Sequence, residues 1–79
     1  MKIIPSKNFI KDIKNIDNFL REKLEKQIRK IVENPYCGKP LKYKRGERSL
    51  YIKPFRLIYS LKFDEIILLK FEHRKSVYD

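Results

Sequence analysis

The spacing of apolar residues changes abruptly at Asn34-Pro35, and this change constrains the fold more than any other feature of the chain. Before it, apolar side chains recur every three to four residues, which predicts two helices, one over residues 7–16 and one from residue 17 or 18 to about residue 33. Ser6 is well placed to cap the first helix. The second helix is expected to end at Asn34, because the residue before a proline is pushed out of the helical region.

Beyond this point the pattern is that of strands. Residues 36–47 predict a loop, and residues 49–52, 55–61 and 66–71 predict three strands joined by short turns, which is typical of an antiparallel meander. The last of them is apolar on both faces and should lie centrally in the sheet. Residues 2–4 predict a further short strand.

The predicted order is therefore β-α-α-β-β-β, and residues 1–79 should form one α+β domain. We expect the two N-terminal helices to pack on one face of a curled, mainly antiparallel sheet whose other face stays open. A chain of 79 residues buries roughly 60% of its unfolded surface, so it has room for one modest core.

The chain is strongly basic, with 20 Lys and Arg residues against 10 Asp and Glu, a net charge of +10. Such a field favours a polyanionic partner: a nucleic acid, an acidic protein or an anionic membrane. A membrane is the weakest candidate, because no segment approaches the ~18–20 apolar residues that a spanning helix needs and the first residues do not resemble a signal peptide. Within residues 42–56, six cations stand against the one acid Glu47, a net charge of +5.

Several chemistries lack the residues they require. One histidine and one cysteine, Cys37, cannot build a zinc site or an internal disulfide, and no glycine-rich phosphate loop is present. The sequence therefore predicts no metal and no cofactor. Cations, tyrosine and histidine remain, and this set suffices for RNA, whose 2′-hydroxyl can attack the adjacent phosphate while arginine stabilises the charge that develops there.

Arg56 is the first candidate for this role, since we expect it in the middle of a strand that holds its side chain stiffly; a surface arginine at a sheet edge is the alternative. Arg48 begins the neighbouring strand, and hairpin pairing should bring the side chains of the two strands together. The tail adds His73, Arg74 and Tyr78, although a lone histidine is more often structural and a terminal tyrosine more often packs. The remaining cations of the basic stretch either grip a substrate or are simply solvated: Lys42, Lys44, Arg45 and Lys53.

Several short motifs run in order along nearly the whole chain: Ser6-Lys7-x-Phe9, Gly38-Lys39-Pro40-Leu41, Gly46-x-Arg48-Ser49-Leu50, Phe55-Arg56-Leu57-Ile58-Tyr59 and His73-Arg74-Lys75-x-Val77-Tyr78. With these motifs the chain resembles the RelE branch of the RelE/ParE toxin superfamily. The resemblance implies a RelE-like fold and a ribosome-dependent mRNA endonuclease. Such a toxin cuts the codon in the ribosomal A site and is neutralised by an acidic, RelB-like antitoxin. The cytoplasm is expected from the single cysteine, Cys37, which is interpreted as an inert loop thiol in a reducing compartment.

The resemblance also implies roles for individual residues. Arg56 would contact the scissile phosphate, Arg74 and Tyr78 would share its catalytic surface with Tyr78 as proton carrier, and the basic loop and strand residues would grip RNA and ribosome. The chain departs from the family at Tyr51, where Lys or Arg is common, and in the hairpin turn, where Lys53-Pro54 replaces the usual glycine. The general base would then come from Lys53, His73 or Tyr78.

Three other functions remain open from the sequence. A ParE-like member of the superfamily would share the fold but inhibit DNA gyrase by protein contact. A non-catalytic nucleic-acid-binding module would use the basic stretch to bind phosphates. A decayed toxin would bind only its antitoxin.

Overall fold

The structure, a computed structural model, describes residues 1–74. Its elements are β1 (Lys2–Pro5), α1 (Lys7–Asp12), α2 (Asn18–Glu33), β2 (Lys39–Pro40), β3 (Glu47–Ile52), β4 (Phe55–Lys62) and β5 (Glu65–His73). The strands form one sheet in the order β1-β5-β4-β3-β2. The predicted α+β class is confirmed: two helices pack against a mixed, unclosed five-stranded sheet. Neither helix combines the length and the apolar character that crossing a membrane would need, over the residues described.

Both helices begin where a side chain accepts a hydrogen bond from the first turn. Ser6 Oγ accepts from the Phe9 amide at 3.0 Å, and Asp17 Oδ1 accepts from the Leu20 amide at 2.8 Å, so each satisfies a backbone donor that the helix itself leaves unpaired. The predicted cap at Ser6 and the predicted extent of α2 are confirmed.

The predicted extent of the first helix, residues 7–16, is wrong, because α1 ends at Asp12. The chain turns through residues 13–17, and the Ile13 carbonyl accepts a hydrogen bond from Arg21 Nη2 of α2 at 3.0 Å instead of continuing a helix. Ile13 and Ile16 still pack against the core, which explains why they kept helical spacing without being helical.

The predicted meander β3-β4-β5 is antiparallel, and β5 lies inside the sheet as expected. β1 adds to β5 in parallel, which makes the sheet mixed. The region predicted as a loop over residues 36–47 contains the two-residue strand β2, which pairs with β3. The sheet therefore has two short edge strands, β1 with Pro5 and β2 with Pro40.

α1 and its N-cap complete the edge of β5 where β1 stops. Between Tyr59 and Ile58 of β4 the register slips, so that Leu69 is an extra residue in β5. The Leu69 carbonyl accepts from Ser6 Oγ at 3.0 Å, and the Phe71 amide donates to Asp12 Oδ2 at 3.0 Å. Side chains of α1 and its cap thus replace the partners that a longer β1 would have supplied.

The core lies between the helices and one face of the sheet. It is built from a cluster of buried apolar side chains that pack together, which are Phe9, Leu24, Ile31, Ile52, Leu57, Tyr59, Ile66, Leu68 and Phe71. Successive strand residues point to opposite faces, so Tyr51, Arg56 and Glu72, each next to core residues along its own strand, lie on the other face. We call this side of the sheet the open face.

A candidate cationic groove on the open face

A groove of about 490 Å³ crosses the open face at the hairpin between β3 and β4. The residues that line it are Cys37, Lys39, Ser49, Leu50, Tyr51, Arg56 and Arg74. Three of these are cations and none is a carboxylate, among the residues that the structure describes. A concave surface with this lining attracts an anion and concentrates the positive field of the whole molecule.

Arg56 is the second residue of β4, beside the hairpin turn rather than in the middle of the strand as the sequence suggested. It lies between Tyr51 on β3 and Glu72 on β5. Its side chain is 25% exposed, and Nη2 lies 3.5 Å from Glu72 Oε1. Its Nε is buried and makes no hydrogen bond within residues 1–74. Arg56 is therefore a partly desolvated cation, held on one side by a carboxylate and bordering the groove on the other.

Arg74 reaches the same groove from the end of β5. Its backbone amide donates to the Pro54 carbonyl at 2.9 Å, which fastens this residue to the hairpin turn. Its guanidinium carbon lies 5.1 Å from the centroid of the Tyr51 ring. The structure therefore brings together Arg56 and Arg74, the two arginines that the sequence predicted as catalytic.

Of the other two predicted catalytic residues, His73 does not line the groove. His73 pairs with Phe55 across the strands, and the two rings meet edge to face with centroids 5.2 Å apart. Phe55 packs against the core, so His73 lies on the helix-covered face, opposite to Arg56. Tyr78 falls outside the described residues, and its role stays a prediction.

The expected approach of Arg48 to Arg56 is wrong, because the strand register puts them on opposite faces. Arg48 pairs with the core residue Tyr59, whereas Arg56 pairs with Tyr51. Arg48 Nη1 donates to the Gly38 carbonyl at 2.7 Å and to the Tyr36 carbonyl at 3.2 Å. It thereby organises residues 36–38, and its RNA-binding role stays a prediction that these contacts do not favour.

The four remaining predicted RNA-binding residues are all exposed. Lys42, Lys44 and Arg45 lie in the loop before β3, at the end of that strand farther from Arg56. Lys53 lies in the hairpin turn, beside the proline whose carbonyl accepts from the Arg74 amide. Lys53 thus lies in the turn between the groove residues Tyr51 and Arg56.

Sequence reasoning did not assign Lys39 or Tyr51 to the site. Lys39 borders the groove because β2 pairs it with Ser49, whereas the sequence pattern predicts a loop at this position. Tyr51 was noted as a departure from the family, and its alternation with Leu50 and Ile52 was the signal that it faces away from the core.

Tyr59 fixes the loop that carries Cys37 and Lys39 to the rim of the groove. Its hydroxyl donates to the Pro35 carbonyl at 2.8 Å and accepts from the Gly38 amide at 3.0 Å. Burial raises the pKa of Tyr59 above its ordinary value of 10.0. Burial thus favours the neutral phenol, which keeps the proton that the hydroxyl donates to the Pro35 carbonyl.

A family model for the ParE toxin of the type II toxin-antitoxin system, parDE, matches residues 3–78. The chain belongs to this toxin family. The match confirms the resemblance to the RelE/ParE superfamily and makes the chain a type II toxin. A search of curated proteins found no significant match.

Solved structures of toxins from this superfamily share the fold. The toxin is similar to the RelB-RelE antitoxin-toxin complex from Methanococcus jannaschii (23% identity, 96% of this chain and 95% of that chain, TM-score 0.80). It is also similar to the YoeB/ParE toxin from Agrobacterium tumefaciens (20% identity, 94% of this chain and 99% of that chain, TM-score 0.81). A third similar structure is the isolated RelE toxin from E. coli (18% identity, 98% of this chain and 89% of that chain, TM-score 0.81). At these identities the likeness concerns the fold, and it extends over nearly the whole of each chain.

Proposed function

We propose that the toxin is an endoribonuclease that cuts mRNA on the ribosome, by attack of a 2′-hydroxyl on the adjacent phosphate. The observation that carries this proposal is the convergence of Arg56 and Arg74 on one open groove, with Arg56 partly desolvated and only loosely held by Glu72. A cation that has lost part of its water and lacks full hydrogen bonding gains most from an anionic ligand. A phosphate in the groove supplies that ligand.

The reaction makes one bond and breaks one. The 2′-oxygen bonds to phosphorus and loses its proton, while the bond from phosphorus to the 5′-oxygen breaks and that oxygen gains a proton. Negative charge builds on the phosphate oxygens, where the planar donors of Arg56 and Arg74 stabilise it more strongly in the transition state than in the ground state. Tyr78 and Lys53 remain the candidates for carrying the two protons, whereas His73 packs on Phe55 on the opposite face of the sheet.

We also propose an acidic antitoxin as the partner and the cytoplasm as the site of action. Several of the similar solved structures are complexes of a toxin with its antitoxin, among them RelB-RelE and DinJ-YafQ. A net charge of +10 favours a partner of opposite charge. Such a partner inhibits by covering the groove cations or by displacing the tail that carries Tyr78.

The test is cleavage of mRNA on translating ribosomes, mapped by primer extension, with wild-type protein, Arg56→Ala and the control Arg29→Ala. Arg29 is an exposed cation on α2, on the other side of the sheet, so its loss removes the same charge without touching the groove. We expect discrete cuts within codons from wild type and Arg29→Ala, and a rate reduced at least about 100-fold in Arg56→Ala. Intact mRNA with wild type, or cleavage unaffected in Arg56→Ala, contradicts the proposal.

A second candidate is inhibition of DNA gyrase, because the family model that matches the chain is that of ParE. A supercoiling assay with purified gyrase separates the two. Loss of supercoiling while mRNA stays intact favours the ParE-like function. Binding of RNA that weakens with salt, without either effect, favours the non-catalytic module.

A further inference from the structure

Tyr51 is an exposed aromatic ring inside a cationic groove. Its side chain is on the open face and the residue is 51% exposed, although both neighbours along the strand, Leu50 and Ile52, pack with the core. The Arg74 guanidinium lies over the ring at 5.1 Å from its centroid. Burial in the core therefore does not explain the position of this ring.

We propose that Tyr51, together with the Arg74 guanidinium, forms a stacking platform for one unpaired nucleobase of the RNA strand that is cut. The inference rests on the proposed nuclease function and adds to it a residue that positions the substrate. Aromatic rings and arginine planes are the surfaces on which proteins stack the splayed bases of single-stranded RNA. Such a platform binds any planar base, because stacking does not require a particular pattern of hydrogen-bond donors and acceptors.

The register of the hairpin places the platform where a nucleotide needs it. Tyr51 and Arg56 are direct partners across β3 and β4, so their side chains stand side by side on the open face. A phosphate paired with Arg56 and a base stacked on Tyr51 are then neighbouring parts of one short stretch of RNA. Lys39 and Arg74 border the same groove and add positive charge along the backbone.

The three other cation and aromatic ring pairs found within residues 1–74 lack this setting. They are Lys23 with Phe19, Lys42 with Tyr43, and Arg48 with Tyr36. None of these rings lines the groove. Phe19 is the best matched control, because it is 68% exposed and has a cation 4.6 Å from its centroid, but it lies on α2.

Cleavage kinetics with matched variants separate stacking from chemistry at the hydroxyl. We expect Tyr51→Phe to keep kcat/KM and its pH profile, because the ring remains, and Tyr51→Leu to lower kcat/KM about tenfold. Phe19→Leu should match wild type. An equal loss of kcat/KM in Tyr51→Phe and Tyr51→Leu would overturn the platform and indicate that the phenol carries a proton. A wild-type kcat/KM in Tyr51→Leu would also overturn it, because the ring would then have no role in cleavage. Melting temperatures show that each variant is folded.

A direct binding signal is available because the chain contains no tryptophan. Tyr51→Trp introduces a single indole, whose fluorescence should be quenched by a single-stranded hexadeoxynucleotide, which cannot be cut because it lacks 2′-hydroxyls. Inorganic phosphate and a hexamer with abasic sites should leave the fluorescence unchanged, as should the hexamer with Phe19→Trp. Equal quenching by the normal and abasic hexamers would overturn the proposal.

The two measurements fail independently. Base-dependent quenching without any cleavage by the wild type would leave the platform standing and reject the nuclease function. Cleavage by the wild type with no base-dependent quenching would reject the platform alone.

Discussion

At the scale of single residues, Gly38 and Tyr59 show how closely the backbone approaches a core side chain. A Cβ added at Gly38 would lie 2.7 Å from Tyr59 Oη and 2.9 Å from the Ser49 carbonyl oxygen. Gly46 is different: its φ is +82° and the space around it is open, with the nearest atom 3.9 Å away. The first glycine is required by contact and the second by backbone conformation.

Gly38→Ala should therefore lower the free energy of unfolding by about 1–3 kcal/mol, since the added methyl group overpacks a site with backbone on one side. Gly46→Asn should cost less than Gly46→Ala, because asparagine tolerates a positive φ better than alanine. Urea denaturation of the three variants measures both effects. A Gly38→Ala variant as stable as wild type would contradict the contact argument.

Tyr59 gives a second prediction at this scale, in alkaline solution. Its pKa is raised in the folded chain and near 10 in the unfolded chain. The contribution of the neutral phenol to stability is thus complete below pH ~10 and is lost as the pH rises from there through the raised folded pKa. Tyr59→Phe should cost about 1–2 kcal/mol at pH 7, because it leaves the Gly38 amide without its acceptor.

Denaturation curves from pH 7 to 11 test this. The free energy of unfolding of Tyr59→Phe should fall less steeply above pH ~10 than that of wild type. Parallel curves for the two proteins would show that Tyr59 does not titrate differently on unfolding.

At the scale of elements, α1 acts as a partner for the β5 edge as well as a part of the core. Asp12 Oδ2 accepts from both the Phe71 amide and Asn8 Nδ2, so one carboxylate joins helix and strand. Asp12→Ala should lower the free energy of unfolding by about 1–3 kcal/mol and speed hydrogen exchange at the Phe71 amide. Asp12→Asn keeps an acceptor oxygen and should have the smaller effect on both. Unchanged exchange in Asp12→Ala would contradict this role.

The elements were predictable from sequence wherever one rule acted alone. The meander followed from apolar runs and turns, and α2 from its cap and its proline. The end of α1 was not predictable, because Ile13 and Ile16 reach the core from a turn that keeps their helical spacing and whose Ile13 carbonyl accepts from the distant Arg21. β2 and the slip at Leu69 have no local signal, since each exists through its pairing with another strand.

The residues of the candidate site were also predictable only in part. The basic stretch and the tail pointed to Arg56 and Arg74, because charge is readable residue by residue. Which face a side chain occupies depends on register, so Arg48 was wrongly expected beside Arg56 and Lys39 was overlooked. His73 and Glu72 lie on opposite faces because they are adjacent residues of β5, but the predicted strand ended at residue 71 and so included neither of them.

At the scale of the whole molecule, the charge predicts how binding responds to salt. Three cations line the groove in the part of the chain that the structure describes, Lys39, Arg56 and Arg74. If each neutralises one phosphate, the logarithm of the association constant for a single-stranded oligonucleotide should fall against the logarithm of salt concentration with a slope of about −2. Arg56→Ala should make the slope shallower by about 0.7, and Arg29→Ala should leave it unchanged. A slope near zero would show that the groove does not bind the strand through its charges.

The two edges of the sheet have a further consequence. An exposed edge strand is a template for aggregation, and both edges here are short and carry a proline, which has no amide hydrogen to offer a neighbouring chain. β4 lies between β3 and β5, and the outer edge of β5 is bound by β1 and, beyond it, by Ser6 and Asp12, so the backbone of these long strands is engaged within the molecule. Edge-to-edge growth into fibres is thereby disfavoured when no partner covers the toxin.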